Sequence, residues 1–320
     1  MKKNVSIDIS SKTLDICIRE NGSNTFYTIE NKVKSIQSFL RPLDLEDTVI
    51  SMENTGRYNW QLYEVLATFS CPVYVISPIH LKRSLGLIRG KNDKIDAQRI
   101  GAFLEKNISE LTPWKPSSKN IRKIKILLTE RSSRLKMVKQ LSSSKHDYKL
   151  MKSLGLECSL TTLNEALVLE IRNQIKDLEE KIATVIKSDT ELKKQDKLVQ
   201  SVPGVGKILT WNFIAKTEGF TIINNPRKFA CYSGVVPFEH QSGTSIRGRN
   251  KVSQYADKNM KSILHLGAMS AIQHENDLAE YYKRKVNEGK NKMTVLNAVR
   301  NKIIHRVFAV IKTQKLYVYN

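Results

Sequence analysis

Along the first hundred residues the apolar positions change period again and again. Residues 5–10 (VSIDIS) and 14–19 (LDICIR) alternate in steps of two, the mark of half-buried strands. The Asn21-Gly22-Ser23 turn signal precedes a third strand at 25–29. Val33–Leu40 then reads as a helix and 48–52 as a strand. Residues 58–69 carry Trp60, Tyr63, Leu66 and Ala67 at helical spacing, and Val73–Ile76 is a short buried strand. One helix is expected after Pro78 and another after Asp93.

The order β-β-β-α-β-α-β-α, three meandering strands before the crossovers, resembles the ribonuclease H-like fold. From Pro116 the pattern becomes helical. Ile121, Ile124, Leu128, Leu135 and Val138 keep a helical period, and after a turn near Gly155 so do Ile171, Ile175, Leu178 and Ile182, with Glu179, Glu180 and Lys181 expected on the outside. This predicts a helical hairpin of coiled-coil character. A third region opens near Lys197, where SVPGVGKILT (201–210) sets two glycines before a helix start, as in a helix-hairpin-helix motif. There Gly204, Gly206 and Lys207 could receive a phosphate. A plain helix–helix turn uses glycines in the same way. Residues 229–237 (FACYSGVVP) read as a packed segment leading into a polar loop, with helices at 256–274 and 295–312. The expected class is α/β plus α, with a ribonuclease H-like domain at 1–114, a basic helical hairpin at 115–196 and a mainly helical domain at 197–320.

Charge narrows the partners. Lys and Arg number 53 against 31 Asp and Glu, a net +22, which points to a polyanion, nucleic acid before membrane surface. No apolar run approaches the length of a membrane span. The start MKKNVSIDIS lacks the apolar core of a secretory leader, so a cytoplasmic protein is expected. Cys17, Cys71, Cys158 and Cys231 show no C-x-x-C spacing, and the six histidines show no zinc-ligand spacing. Between Lys115 and Lys152 twelve basic residues face two acidic ones, Glu130 and Asp147. That imbalance favours a phosphate-binding face, with Lys123, Lys136 and Lys139 as its representatives, over a merely solvated one.

Candidate chemistry lies in four carboxylates. Asp8 stands mid-strand between Ile7 and Ile9, so it points away from the face those two bury. Glu53 ends the fourth strand, the neighbour of the first in a ribonuclease H-like sheet. Asp93 and Asp96 sit one helical turn apart in KNDKIDAQR (91–99). Asp93 as an N-cap with Asp96 in the first turn is one reading. The other is a cation site, because side chains three apart on a helix share a face with Cβ atoms ~5–6 Å apart. Four carboxylates at one point would repel strongly without cations, which implies two Mg²⁺ ions and phosphoryl transfer.

DISSKTLDI, MENTGRY and KNDKIDAQR are similar to the blocks of the IS one-ten family of insertion-sequence transposases, and SVPGVGK, YSGVVP and HQSGTSIRGR to that family's C-terminal transposase domain. The blocks occur in family order over nearly the whole chain. In SQYADKNMK the sequence departs from the family, Lys261 standing where an arginine is usual. The resemblance implies a RuvC-like DEDD domain and a DNA recombinase guided by a structured non-coding RNA. It further implies assembly as a homo-oligomer, dimer to tetramer, on donor and target DNA, with Ser242 as the nucleophile. Arg247 and Arg249 would stabilise developing charge. The residues that flank Ser242, Gln241 and Gly243, supply no general base, and Ser245 is the alternative in the same segment. Two other classes stay open: a hydrolytic Mg²⁺ nuclease resembling Holliday-junction resolvases, and a non-catalytic nucleic-acid scaffold.

Overall fold

The computed structural model describes residues 3–43, 46–84, 92–156, 159–242 and 246–319. They form two compact units, Met1–Pro116 and Ser117–Asn320.

The first unit is built on five strands: β1 (Lys3–Ile9), β2 (Thr13–Glu20), β3 (Ser23–Glu30), β4 (Thr48–Glu53) and β5 (Val73–Ile76). Their order is β3-β2-β1-β4-β5. The first three strands are antiparallel neighbours, while β4 runs parallel to both β1 and β5. This is the ribonuclease H-like arrangement expected from the element order. Alternation along β1 sorts its side chains between two helical layers. Val5, Ile7 and Ile9 join Leu14, Ile16, Ile50 and Met52 in a core closed by Ile36 and Leu40 of α1 (Val33–Leu40) and Leu62, Val65 and Leu66 of α2 (Trp60–Leu66). Residues 56–59 precede α2 as a 3₁₀ turn within the stretch expected to be one helix.

The opposite face of β1 shows Asn4, Ser6 and Asp8. Here lie α3 (Pro78–Ser84) and α4 (Asp93–Asn107), whose Ile100, Phe103 and Leu104 pack with Val49, Tyr74 and Ile76. Polar groups tie α4 down: Asn4 Nδ2 donates to the Gly101 carbonyl at 3.0 Å, and Arg19 pairs with Glu105 at 2.9 Å. Trp114 lies near the end of the unit, its ring stacked on Tyr63 at 4.9 Å and its backbone N–H donating to the Val73 carbonyl.

In the second unit α5 (Lys119–Ser143), α6 (Lys145–Ser153) and α7 (Leu160–Ser188) make the hairpin. Ser118 caps α5. Arg131 crosses to Glu179 at 2.6 Å and Arg134 to Gln174 at 3.0 Å. Glu179, expected on the outside, is therefore half-buried as a cross-hairpin partner. The base of the hairpin, Ile121, Ile124, Ile182 and Ile186, belongs to one core with the helices that follow. These are α8 (Thr190–Gln200), α9 (Lys207–Thr217), α10 (Pro226–Tyr232), α11 (Lys258–Ala271), α12 (Asp277–Asn287) and α13 (Lys292–Thr313).

The segment expected as a polar loop after Pro237 is an antiparallel ribbon of β6 (Phe238–Ser242) and β7 (Ile246–Lys251). Backbone pairing satisfies its polar groups where side-chain alternation gave no strand signal. The expected helix at 256–274 is shorter, because Asp257 caps α11 through the Met260 N–H and the helix ends at Ala271.

Candidate active site

Asp8 leaves the sheet on the α4 side, next to the end of β1. α4 reaches it because Gly101 has no side chain: a Cβ there would lie 2.8 Å from Ser6 Oγ. The helix therefore lies close along β1, and its first turn delivers Asp93 and Asp96. Ligand oxygens of Asp8, Asp93 and Asp96 all fall within 4.8 Å of one another. Asp93 is exposed and Asp96 half-buried.

The N-cap of α4 is Asn92, whose side chain accepts from the Lys94 N–H at 3.0 Å. This corrects the capping reading of Asp93, which is the first helical residue. Capping is done one residue earlier, so the Asp93 carboxylate is not consumed by it. Asp96 pairs with Arg99 at 2.8 Å, one turn on. Glu53, last residue of β4, is outside the three-carboxylate group, yet its charge acts on Asp8.

Electrostatics marks Asp8 as the strained member. Its carboxyl is pushed up to about 6, by burial first and then by the negative charges of Asp96, Asp93 and Glu53, while the Ile9 N–H on Oδ1 at 3.0 Å pulls the other way. Crowded carboxylates that resist ionisation relax when a cation joins them. An all-oxygen donor set of this kind suits a hard divalent ion such as Mg²⁺ and does not suit a soft one. One nearby carboxylate has no place in the sequence reading: Asp15 lies directly opposite Asp8 across the β1–β2 ladder, buried and accepting from Thr28 Oγ1 at 2.6 Å, outside the three-carboxylate group. Its signal was the LDICIR alternation, which puts Asp15 on the polar face with Asp8.

The remaining candidates lie in the second unit. Ser242 is the last residue of β6 and pairs with Ile246; Arg247 and Arg249 lie on β7. The side chains of 239–251, and residues 243–245 with Ser245 among them, lie outside the described residues. Lys123, Lys136 and Lys139 are exposed on α5. Three other cations of that run are tied internally: Arg131 to Glu179, Arg134 to Glu130 and Lys125 to Glu218. Gly204 has φ +77°, and a Cβ on it would strike the Gly267 carbonyl and Ala271, so close packing on α11 already demands glycine there. Gly206 is exposed with open space around it, and Lys207 beside it is exposed.

A ribonuclease H-like sheet with clustered carboxylates beside its central strands, joined to a basic helical unit, defines a protein of the nucleic-acid-processing kind. The comparisons name the family. Residues 5–148 match a DEDD transposase model of IS110 type, and residues 196–283 match the model described as Transposase IS116/IS110/IS902 family. The chain belongs to this family: it is a transposase, an enzyme that acts on DNA, with a DEDD domain of ribonuclease H-like topology. Relatives include a pilin gene-inverting protein of Moraxella bovis, 23% identical over 98% of this chain and 97% of that protein. The transposase for insertion sequence element IS1111A of Coxiella burnetii is also 23% identical, over 98% of this chain and 91% of its own length. Among solved structures, Thermus thermophilus RuvC in complex with Holliday junction substrate matches 36% of this chain at 14% identity and a TM-score of 0.27. Among the described residues no helix is long and apolar enough to cross a membrane.

Proposed function

We propose that this transposase cuts and rejoins DNA with two cooperating parts, a Mg²⁺-binding acidic cluster and a serine nucleophile. The observation that carries the reading is the convergence of Asp8, Asp93 and Asp96 within 4.8 Å, with Glu53 acting on the same point. These four would hold the metal, two ions by the charge they concentrate. Bound Mg²⁺ would neutralise charge on a scissile phosphate and lower the barrier to displacement at phosphorus.

The chain's own residues supply the rest. Without a cation, burial and neighbouring carboxylates raise the Asp8 carboxyl and Arg99 balances Asp96; a bound cation would leave both carboxylates ionised as its ligands. Ser242 Oγ would attack phosphorus, lose its proton and release a strand hydroxyl, leaving a serine phosphodiester that the reverse attack rejoins. Arg247 and Arg249 on the neighbouring strand are the cations to face that phosphate.

Recognition is assigned to the exposed cations Lys123, Lys136, Lys139 and Lys207, together with Gly204 and Gly206 at the start of α9. Their polyanion partners would be donor and target DNA and a structured non-coding guide RNA. A homo-oligomer, dimer to tetramer, would pair the acidic cluster of one copy with the serine of another. Reduced cysteines fit work in the cytosol: Cys17, Cys71 and Cys231 are free. The full-length match to a relative named as gene-inverting supports recombination over simple hydrolysis.

The test is strand cleavage by the full chain with its flanking non-coding RNA and a DNA carrying the element's ends. Wild type should cleave with Mg²⁺ and stop with chelator. Asp8→Asn, Glu53→Gln, Asp93→Asn and Asp96→Asn should each bind DNA yet lose cleavage by at least about a hundredfold. Undiminished Mg²⁺-dependent cleavage by Asp96→Asn would refute the site as drawn.

A further inference from the structure

Two clefts of the second unit share walls. One, about 690 Å³, lies against Lys125, Lys136, Lys216 and Tyr232; the other, about 770 Å³, against Arg131, Lys207, Ile263 and Leu266. Leu128, Ser132, Asn212 and Asn259 line both, so the pair runs as one groove between α5 and the α9–α11 side. The two walls come from segments distant in the chain, the hairpin base and the helices after Gly206.

Charge and texture differ along the groove. Five cations line it, of which Arg131 is paired with Glu179, Lys125 with Glu218 and Lys216 with Asp257, so its open positive charge comes from Lys136 and Lys207. Lys216 and Lys125 are anchored by Asp257 and Glu218, which fixes their heads in place, whereas Lys136 has no carboxylate partner among the described residues. Hydroxyls and amides fill the spaces between the cations: Thr129, Ser132 and Ser133 from α5, Asn259 and Ser262 from α11. The second cleft adds apolar wall, with Leu266 68% and Leu135 42% exposed.

We propose that this groove seats an unpaired strand of nucleic acid, phosphates along Lys136 and Lys207 and bases against Leu135, Ile263 and Leu266. Positive potential with neutral donors selects a phosphodiester backbone. The apolar wall selects an unpaired strand: a duplex hides its base faces in the stack and has no use for exposed leucines, whereas an unpaired base has an apolar face to bury. Size agrees, since clefts of ~300–1,000 Å³ admit small groups and not a duplex. Both RNA and DNA carry this chemistry. The inference rests on the nucleic-acid reading above and assigns it a place and a strandedness.

The test uses the full chain and about twelve-nucleotide probes: oligo(U), oligo(dT) and a blunt duplex, read by fluorescence anisotropy. The variants are Asn259→Glu and Ser262→Glu, both exposed on α11 and both lining the groove, which Lys123 and Lys139 do not. Each should weaken at least one of the two single strands about tenfold while leaving the duplex within about twofold. Ser262→Lys should strengthen the same strand, a gain that misfolding cannot imitate. Whether oligo(U) or oligo(dT) responds more tells the source. A 4-thiouridine or 4-thiothymidine probe should crosslink to peptides of α5 and α11. Equal loss of duplex and single strand, or no change in either, overturns the groove. If wild type binds none of the three probes, the nucleic-acid reading falls along with it.

Discussion

Gly101 and Ser6 touch across the α4–β1 interface so closely that a Cβ on Gly101 would lie 2.8 Å from Ser6 Oγ and 3.2 Å from Asn4 Nδ2. Ser6 cannot swing away freely, since its hydroxyl donates to the Cys17 carbonyl at 3.1 Å. A mid-helix glycine is otherwise unfavourable, about 1 kcal/mol worse than alanine. Close approach explains its presence here, and that approach sets how far Asp93 and Asp96 stand from Asp8.

Gly101→Ala should therefore destabilise the chain by about 1–3 kcal/mol through overpacking, against the gain that helix propensity alone would give. Urea unfolding measures it. Ser6→Ala in the same chain should recover part of the loss. Stabilisation by Gly101→Ala alone would show that α4 does not need the contact.

Asp8 ties the site to pH. Its carboxyl, raised from 3.8 to about 6, keeps in the folded chain a proton that the unfolded chain gives up. Without metal, this contribution to stability is complete below about pH 3.8 and is lost as pH rises through 6. Asp8→Asn should thus be more stable than wild type at pH 7.5 in chelator by about 1–2 kcal/mol, discounted for solvent screening, and equal to it near pH 4. Millimolar Mg²⁺ should reverse the order at pH 7.5, raising the wild-type melting temperature and leaving the variant unmoved. A variant less stable than wild type in chelator at pH 7.5 would contradict the assignment.

What the sequence made legible follows from how each signal arises. Strands β1, β2 and β4 bury one face or both, so their alternation or apolar runs survive in the residues, and Asp8 and Glu53 could be placed on them. β6 and β7 (FEHQS and IRGRNK) have little apolar alternation, and only backbone pairing reveals them. The capping role of Asn92 was masked by two aspartates beside it, each a good cap by type. α12 went unseen between two stronger helices because its buried contribution rests on Leu278 and Ala279 alone among eleven residues. Gly204 was legible as a turn, but the α11 backbone it packs against is 63 residues further on.

The hairpin predicts a salt effect. Lys123, Lys136 and Lys139 are exposed, unlike Arg131 and Arg134, which hold the two helices together. Reversing the three lysines to glutamate should weaken RNA binding and reduce the slope of log K against log salt by about 2 or more, since each lost phosphate contact removes roughly 0.7–0.9. Arg131→Ala should instead cost stability, about 1 kcal/mol, with the slope nearly kept. An unchanged slope in the triple reversal would return this face to a solvated surface.

The last prediction separates a recombinase from a nuclease. If Ser242 attacks the phosphodiester, bond energy is kept in a protein–DNA link and rejoining needs no outside energy; water as nucleophile loses that link at the first step. Wild type given guide RNA, Mg²⁺ and a nicked target that cannot religate should accumulate a covalent species. It should survive denaturing electrophoresis and map to the Ser242 peptide. Ser242→Ala should bind RNA and DNA and form none. The β6 pairing of Ser242 with Ile246 gives the variant little reason to misfold, because alanine keeps the same backbone hydrogen bonds. Normal cleavage by Ser242→Ala, or an adduct at Ser245, would remove Ser242 from the chemistry. Free ends alone from an active wild-type enzyme would leave the acidic cluster working with water.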